Sequence, residues 1–206
     1  MRRPYHDTVL KAAPSLPFTS PLLPSPLPPL LLRGFSYQYN LVEELLGFAR
    51  MSGFVVFGVV CFDPGFHTFA CKDEHSLDRT YRCLFSRIDT YAKRACPGEL
   101  VELVFDDRDV QTNRDNAKAI TNFLVKSPVG RRYDSMLPYP LFAVSQGHNY
   151  GLQLADVITT VIAKRFEGDE RTDPLWRLAK QMLHRFEDGG RCWSSLKVLR
   201  PRADQQ

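Results

Sequence analysis

Phe54-Val55-Val56-Phe57-Gly58-Val59-Val60-Cys61-Phe62 is the stretch on which the fold turns. It carries no charge, and four of its residues are valine and three phenylalanine. β-Branched and aromatic side chains suit the pleated backbone of a strand, and the run is too short to cross a bilayer. A strand apolar on both faces needs cover on both, as strands inside an α/β layer have. The flanking residues agree. Leu41–Met51 reads as a helix, with Leu41, Leu45, Leu46 and Phe48 apolar, Asn40 as N-cap, Glu43 completing a capping box and Gly53 as the stop. Beyond the run, Asp63-Pro64-Gly65 is a turn and Phe66–Cys71 a weaker strand. Arg79–Ala95 is the cleanest amphipathic helix, capped by Asp78 and ended by Pro97-Gly98.

The alternation continues downstream. Leu100–Phe105 is a second strand, followed by Asp106-Asp107-Arg108-Asp109 and a helix over roughly Arg114–Lys126, with Asp109 or Asn113 as its cap. Leu141–Ser145 is a third strand, Tyr150–Phe166 a helix, and Asp173-Pro174 opens a last helix that runs to near Gly189. Strands at 54–62, 101–105 and 141–145 separated by helices predict an α/β domain with parallel strands. There is no internal repeat and no Gly-rich phosphate loop, and Ser145-Gln146-Gly147 does not fit a G-x-S-x-G nucleophile elbow.

Composition sets the outer bounds. A chain of 206 residues, 44% hydrophobic and 24% charged, is long enough to bury one core without disulfides or a structural metal. Seven of its fifteen prolines fall between Pro14 and Pro29, and no charge occurs from Ala12 to Leu32. Prolines at that density exclude a transmembrane helix, and no unbroken apolar run follows Met1-Arg2-Arg3 as a secretory signal requires. Residues 1–33 are therefore expected to form a disordered or polyproline II arm, residues 34–190 the folded domain, and residues 191–206 a basic tail. In that tail Arg191, Lys197, Arg200 and Arg202 face only Asp204. The net charge of +4 permits nucleic acid as a partner without requiring it. The five cysteines have no zinc-knuckle spacing, so a zinc site is not expected and a reducing, cytoplasmic setting is.

Two carboxylates stand out. Asp156 is the single formal charge between Leu141 and Ala163. At 100° per residue, Leu154, Ile158 and Val161 lie opposite it, while Leu152, Thr159, Thr160 and Ala163 share its face. Both faces are apolar or small, which predicts a helix buried on two sides. A carboxylate there calls for a cation, a metal or several hydrogen-bond donors, a neighbouring backbone or hydroxyl partner being the plainer alternative. Asp106 follows directly on a strand, at the end where open α/β sheets place ligands. Glu102, Val104 and Asp106 share one face of that strand, and Asp107 points the other way. A simple turn role would account for the cluster alone. Paired with Asp156, Asp106 gains meaning, because acidic groups from separate elements hold divalent metals for phosphoryl transfer.

At these residues a resemblance enters. Gly151-Leu152-Gln153-Leu154-Ala155-Asp156, a short spacer beyond a strand ending in Ser145, resembles the C-terminal signature of domain-of-unknown-function family 3800, in which a serine-bearing strand leads into an "LQLAD" helix. Val101–Asp106 resembles that family's central strand ending in Asp, and Phe54–Phe62 its preceding apolar strand. The match covers residues 41–166. It implies a ribonuclease-H-like fold, a three-layer arrangement of a sheet with flanking helices, and a metal-dependent nuclease activity. Asp106 and Asp156 would be catalytic metal ligands for Mg²⁺ or Mn²⁺, with Ser145, Gln153 and Asp107 as supporting groups. The chain departs from the family at its start: the Asp-Glu-Ser-Gly strand is absent, and the Pro-rich stretch stands where the first strands belong. A start placed downstream of the true one would leave the same gap. That loss removes one carboxylate and leaves the strand at 54–62 with an open edge, for a second copy or a partner to cover. Two readings follow: a divalent-metal-dependent nuclease, or a non-catalytic relative that binds nucleic acid or protein.

Overall fold

The computed structural model describes residues 10–12, 35–62, 77–144 and 149–200. Its elements run β1 (Leu10–Ala12), α1 (Phe35–Met51), β2 (Val55–Cys61), α2 (Arg79–Ala95), β3 (Val104–Asp106) and α3 (Val110–Lys126). A 3-10 turn at Gly130–Arg132 leads to β4 (Leu141–Ala143) and α4 (Tyr150–Phe166), and another at Glu170–Thr172 leads to α5 (Asp173–Gln181). The strands β5 (Arg185–Asp188), β6 (Arg191–Ser194) and β7 (Leu196–Leu199) follow. The fold is mixed α/β, as the alternation predicts. Among the described residues, however, the strands form three small sheets, β1-β2-β7, β3-β4 and β5-β6, rather than one.

The apolar run is the hinge of the packing. Phe57 and Val59 point into one cluster, with Leu84, Phe85 and Ile88 of α2 and Phe123 of α3. Val56 points into the other, with Leu46 of α1, Ile158 and Ile162 of α4 and Leu175 of α5. Period-two alternation thus covers β2 from both sides, and each fully buried side chain of this size contributes about 1.5–3 kcal/mol. Helices lie on both sides of the strand. No helix among the described residues is long and apolar enough to cross a membrane.

Four expectations need correction. The edge of β2 expected to be open is covered at its start, where β1 pairs antiparallel with Val55–Phe57, while β7 pairs in parallel with Gly58–Cys61 on the other edge. The arm at 1–33 therefore contains a strand at Leu10–Ala12; its other residues lie outside the described ones, as does the weak strand at 66–71. The last helix stops at Gln181 rather than near Gly189, because a β-hairpin begins at Arg185. Gly189 and Gly190 take φ of 53° and 79° at its tip, the left-handed pair that a tight hairpin turn requires. Finally, the basic tail of 191–206 is structured up to Leu199. Leu199 is buried and Lys197 is exposed, although the two share one face of the strand. A smaller difference concerns α1, which starts at Phe35 and so carries Asn40 inside the helix instead of at its cap.

The hairpin docks through aromatic rings. His184, just before β5, meets Tyr91 of α2 edge-on at 4.9 Å and Phe186 at 4.7 Å. Phe186 stacks on Trp193 at 5.5 Å, and the Arg94 guanidinium lies 6.0 Å above the Trp193 ring. Arg94 also pairs with Asp188 at 3.4 Å. Burial lowers the His184 pKa, and the Arg94 charge adds to the effect. The unfolded chain therefore binds the extra proton more readily. Stability is full above the ordinary value of 6.5 and falls as pH drops below it. Melting curves between pH 5 and pH 8 should show this fall, and His184→Phe should flatten it; an equal acid slope in the variant assigns the effect to other groups.

A buried ionic link holds the approach to β3. Asp89 of α2 accepts a hydrogen bond of 2.7 Å from the Ser135 hydroxyl and pairs with Lys93 at 2.9 Å. Lys93 also pairs with Asp134 at 2.6 Å and donates to the Arg132 carbonyl at 2.5 Å. Burial alone would lower the Lys93 pKa, but Asp134 and Asp89 more than offset it and hold the ammonium above its usual range. The Ser135 carbonyl in turn accepts from Val101 N–H at 2.7 Å. Helix α2 is thereby tied to the segment that leads into β3.

Candidate functional site

Strand β3 decides which way Asp106 points. Leu103 and Phe105 are buried in the first cluster, where Phe105 stacks on Phe142 of β4 at 5.9 Å. Alternation then turns Val104 and Asp106 to the other face, on the side of α4. Backbones of β3 and α4 approach within 8 Å. Parallel pairing with β4, with Val104 opposite Leu141 and Asp106 opposite Ala143, fixes the strand end that carries Asp106.

The loop after β3 sorts the acidic cluster by role. Asp109 caps α3, accepting from Thr112 N–H at 2.9 Å and from the Thr112 hydroxyl at 2.6 Å, and these bonds hold its carboxyl below the usual range. The Asn113 side chain spans the turn: its amide donates to Asp107, and its oxygen accepts from Arg108 N–H at 3.2 Å. Asp107 N–H donates to the Ala143 carbonyl at 2.9 Å. Asp107 and Asp109 are thus engaged in shaping the turn. Asp106 is left half-exposed at the strand end, with Arg108 Nε 4.0 Å from its Oδ2.

Helix α4 is capped by Asn149, which accepts from Leu152 N–H at 3.2 Å. It buries Ile158, Val161 and Ile162 against α1 and α5. Asp156, on the opposite face, is exposed. The expectation of a charge buried between two layers is therefore corrected: Ala163 and Val157 are buried, but the turn bearing Asp156 is open. Its environment is nonetheless not that of a free carboxylate. Surrounding protein raises the Asp156 pKa, the Asp106 carboxylate raises it further, and Arg108 opposes both. Asp106, Asp156 and Arg108 consequently share one electrostatic site. Gln153, half-buried, lies one turn before Asp156 on the same side of the helix. Ser145 lies outside the described residues.

Two residues of this site escape a reading by motif, Arg108 and Asn113. Arg108 is the one cation within the acidic run 106–109, and that is the signal it offers. Asn113 reads in the sequence as a candidate helix cap, and its bridging role depends on the turn being formed.

The donor set has definite chemistry. Among the described residues no three His, Cys, Asp or Glu side chains converge as a metal-holding group. Two carboxylates from separate elements nonetheless suit a hard cation such as Mg²⁺ or Mn²⁺, which binds through one or two carboxylates and keeps much of its water. The repulsion between Asp106 and Asp156 is what such a cation would relieve. No protein-family model, curated protein or solved structure matches the chain.

Proposed function

We propose that this chain is a ribonuclease-H-like, divalent-metal-dependent phosphodiesterase acting on nucleic acid, with Asp106 and Asp156 as its metal ligands. What supports the reading is that β3 and α4 lie side by side and that the Asp106 charge adds to the rise in the Asp156 pKa. Supporting it are the parallel β3–β4 pair, the acidic residue at the end of β3 and the Asp156-bearing helix that follows β4. Bound there, Mg²⁺ or Mn²⁺ would polarise a phosphoryl oxygen and lower the pKa of an attacking water. The chain's own contribution is positional. β3 and α4 present the two carboxylates from rigid elements, and the Asn113 clamp fixes the loop beside them. Because the Asp156 carboxyl is raised, a proton competes with metal for it, and affinity for metal climbs as pH rises through that pKa.

The test is calorimetric titration of Mn²⁺ into the full chain and into Asp156→Asn. The unmutated protein should bind, and the variant should lose at least about tenfold in affinity. In metal-free buffer the same variant should melt about 1–3 °C higher, since it removes repulsion from Asp106. A variant that binds Mn²⁺ as well as the parent sinks the assignment, as does a parent that does not bind. The second reading, a nucleic-acid-binding relative without catalysis, is favoured by the pair standing without a third acidic group among the described residues. Mn²⁺ binding without cleavage of labelled single-stranded DNA or RNA would select it.

A further inference from the structure

Arg108 is placed to do more than balance charge. Its backbone is pinned on every side: Asp107 N–H bonds to Ala143 O at 2.9 Å, Arg108 N–H to Asn113 Oδ1 at 3.2 Å, and Asp109 caps α3. Its side chain, by contrast, is 69% exposed and rests at 4.0 Å from the Asp106 carboxylate. That distance is a loose charge contact rather than a hydrogen bond, so little holds the guanidinium where it is. The cations in the last turn of α4 are already committed, Lys164 to Glu167 at 2.9 Å and Arg165 to Asp173 at 3.3 Å. Asn113 gives the geometry its point, because one side-chain amide fixes both the Asp107 carboxylate and the Arg108 backbone, and so holds the turn from which the exposed guanidinium reaches Asp106.

We propose that Arg108 is the substrate-positioning residue of this site: its guanidinium rests beside Asp106 as a loose counter-cation in the free protein, and turns to a phosphodiester oxygen of a nucleic-acid strand when a divalent cation takes the carboxylates. The inference rests on the metal-binding reading above. A divalent cation cannot share the pair with a guanidinium without repulsion, and a planar guanidinium matches two phosphate oxygens better than an ammonium does. Metal and substrate phosphate are thereby coupled, since filling the pair frees the arm that receives the strand.

This coupling has a sign that a merely structural arginine would not produce. Arg108→Met should bind Mn²⁺ about two- to fivefold more tightly than the parent, because a competing positive charge is gone. In the presence of Mn²⁺, its affinity for a fluorescein-labelled single-stranded oligonucleotide, read by anisotropy, should fall about tenfold, with the salt slope reduced by about one. Arg108→Lys should keep the parent's Mn²⁺ affinity and recover part of the oligonucleotide binding. Circular dichroism of the variants verifies the fold, which an exposed side chain leaves undisturbed. If the parent binds Mn²⁺ but Arg108→Met binds it no more tightly, or holds the oligonucleotide as well as the parent does, the role of Arg108 is overturned while the metal site stands. If the parent binds no Mn²⁺, both fall.

Discussion

Replacing Lys93 with methionine is expected to cost about 3 kcal/mol of stability, with a fall in melting temperature of about 6–12 °C. Asp89 is only 8% exposed, and Lys93 supplies its opposite charge at 2.9 Å. Without Lys93, the carboxylate keeps the Ser135 hydroxyl and is otherwise left as an uncompensated charge in a poorly solvated position. Lys93 itself is 41% exposed, which places the cost at the low end for a broken buried pair. Asp89→Asn in the same protein should recover most of the loss, since a neutral amide still accepts from Ser135 and needs no cation. Urea denaturation of the single and double variants reads both effects. A loss below about 1 kcal/mol for Lys93→Met would mean that the pair behaves as a surface ion pair and does not anchor α2 to the β3 approach.

Gly130→Ala is expected to be at least as damaging, about 3 kcal/mol or more, for a wholly different reason. A Cβ at this position would stand 2.0 Å from the Phe123 carbonyl oxygen, 2.6 Å from its carbon and 2.8 Å from Leu124 Cα. These are backbone atoms of α3, which cannot swing aside as a side-chain tip can. The 3-10 turn sits this close because Gly130 N–H reaches the buried Ser127 hydroxyl at 2.8 Å. An added methyl group must therefore push the turn off the helix and break that bond. Denaturant midpoints settle the matter: a change within about 0.5 kcal/mol would show that the turn relaxes without cost.

Much of the architecture was readable because hydrophobic period and caps were unambiguous. Tyr150–Phe166 and Arg79–Ala95 emerged with the bounds they have, and Asp78 and Asp109 cap the helices they precede. What escaped was set by distant contacts or by competing local signals. The hairpin at 185–194 reads in the sequence as the end of a helix and the start of a basic tail, because Arg191, Lys197, Arg200 and Arg202 give the region a solvated look. Its signature was nonetheless there: Phe186 and Trp193 face each other across Asp188-Gly189-Gly190-Arg191, a turn sequence between two short strands. The pairing of Leu10–Ala12 with β2 could not be read locally, since three residues beside a Pro-rich run carry too little pattern.

The site was legible in part. Asp106 and Asp156 stand out in the sequence, and the Asp106 charge adds to the rise in the Asp156 pKa. The burial assigned to Asp156 was wrong because an apolar helical face was taken to mean a covered one. Thr159 illustrates the error: its hydroxyl satisfies itself by donating to the Ala155 carbonyl at 2.7 Å and needs no covering layer. Neighbouring small residues say that a surface can approach, and they do not say that one does.

The partnership of β2 with β7 bears on how the chain reaches this state. Ser195, wholly buried, joins its hydroxyl to the Val56 carbonyl across 139 residues of sequence. Until β7 arrives, the central strand has only the three residues of β1, among the described residues, to pair with. Such long-separation closure has a high entropic barrier and makes for slow, late-consolidating folding, with an exposed apolar β2 as the species most prone to associate on the way.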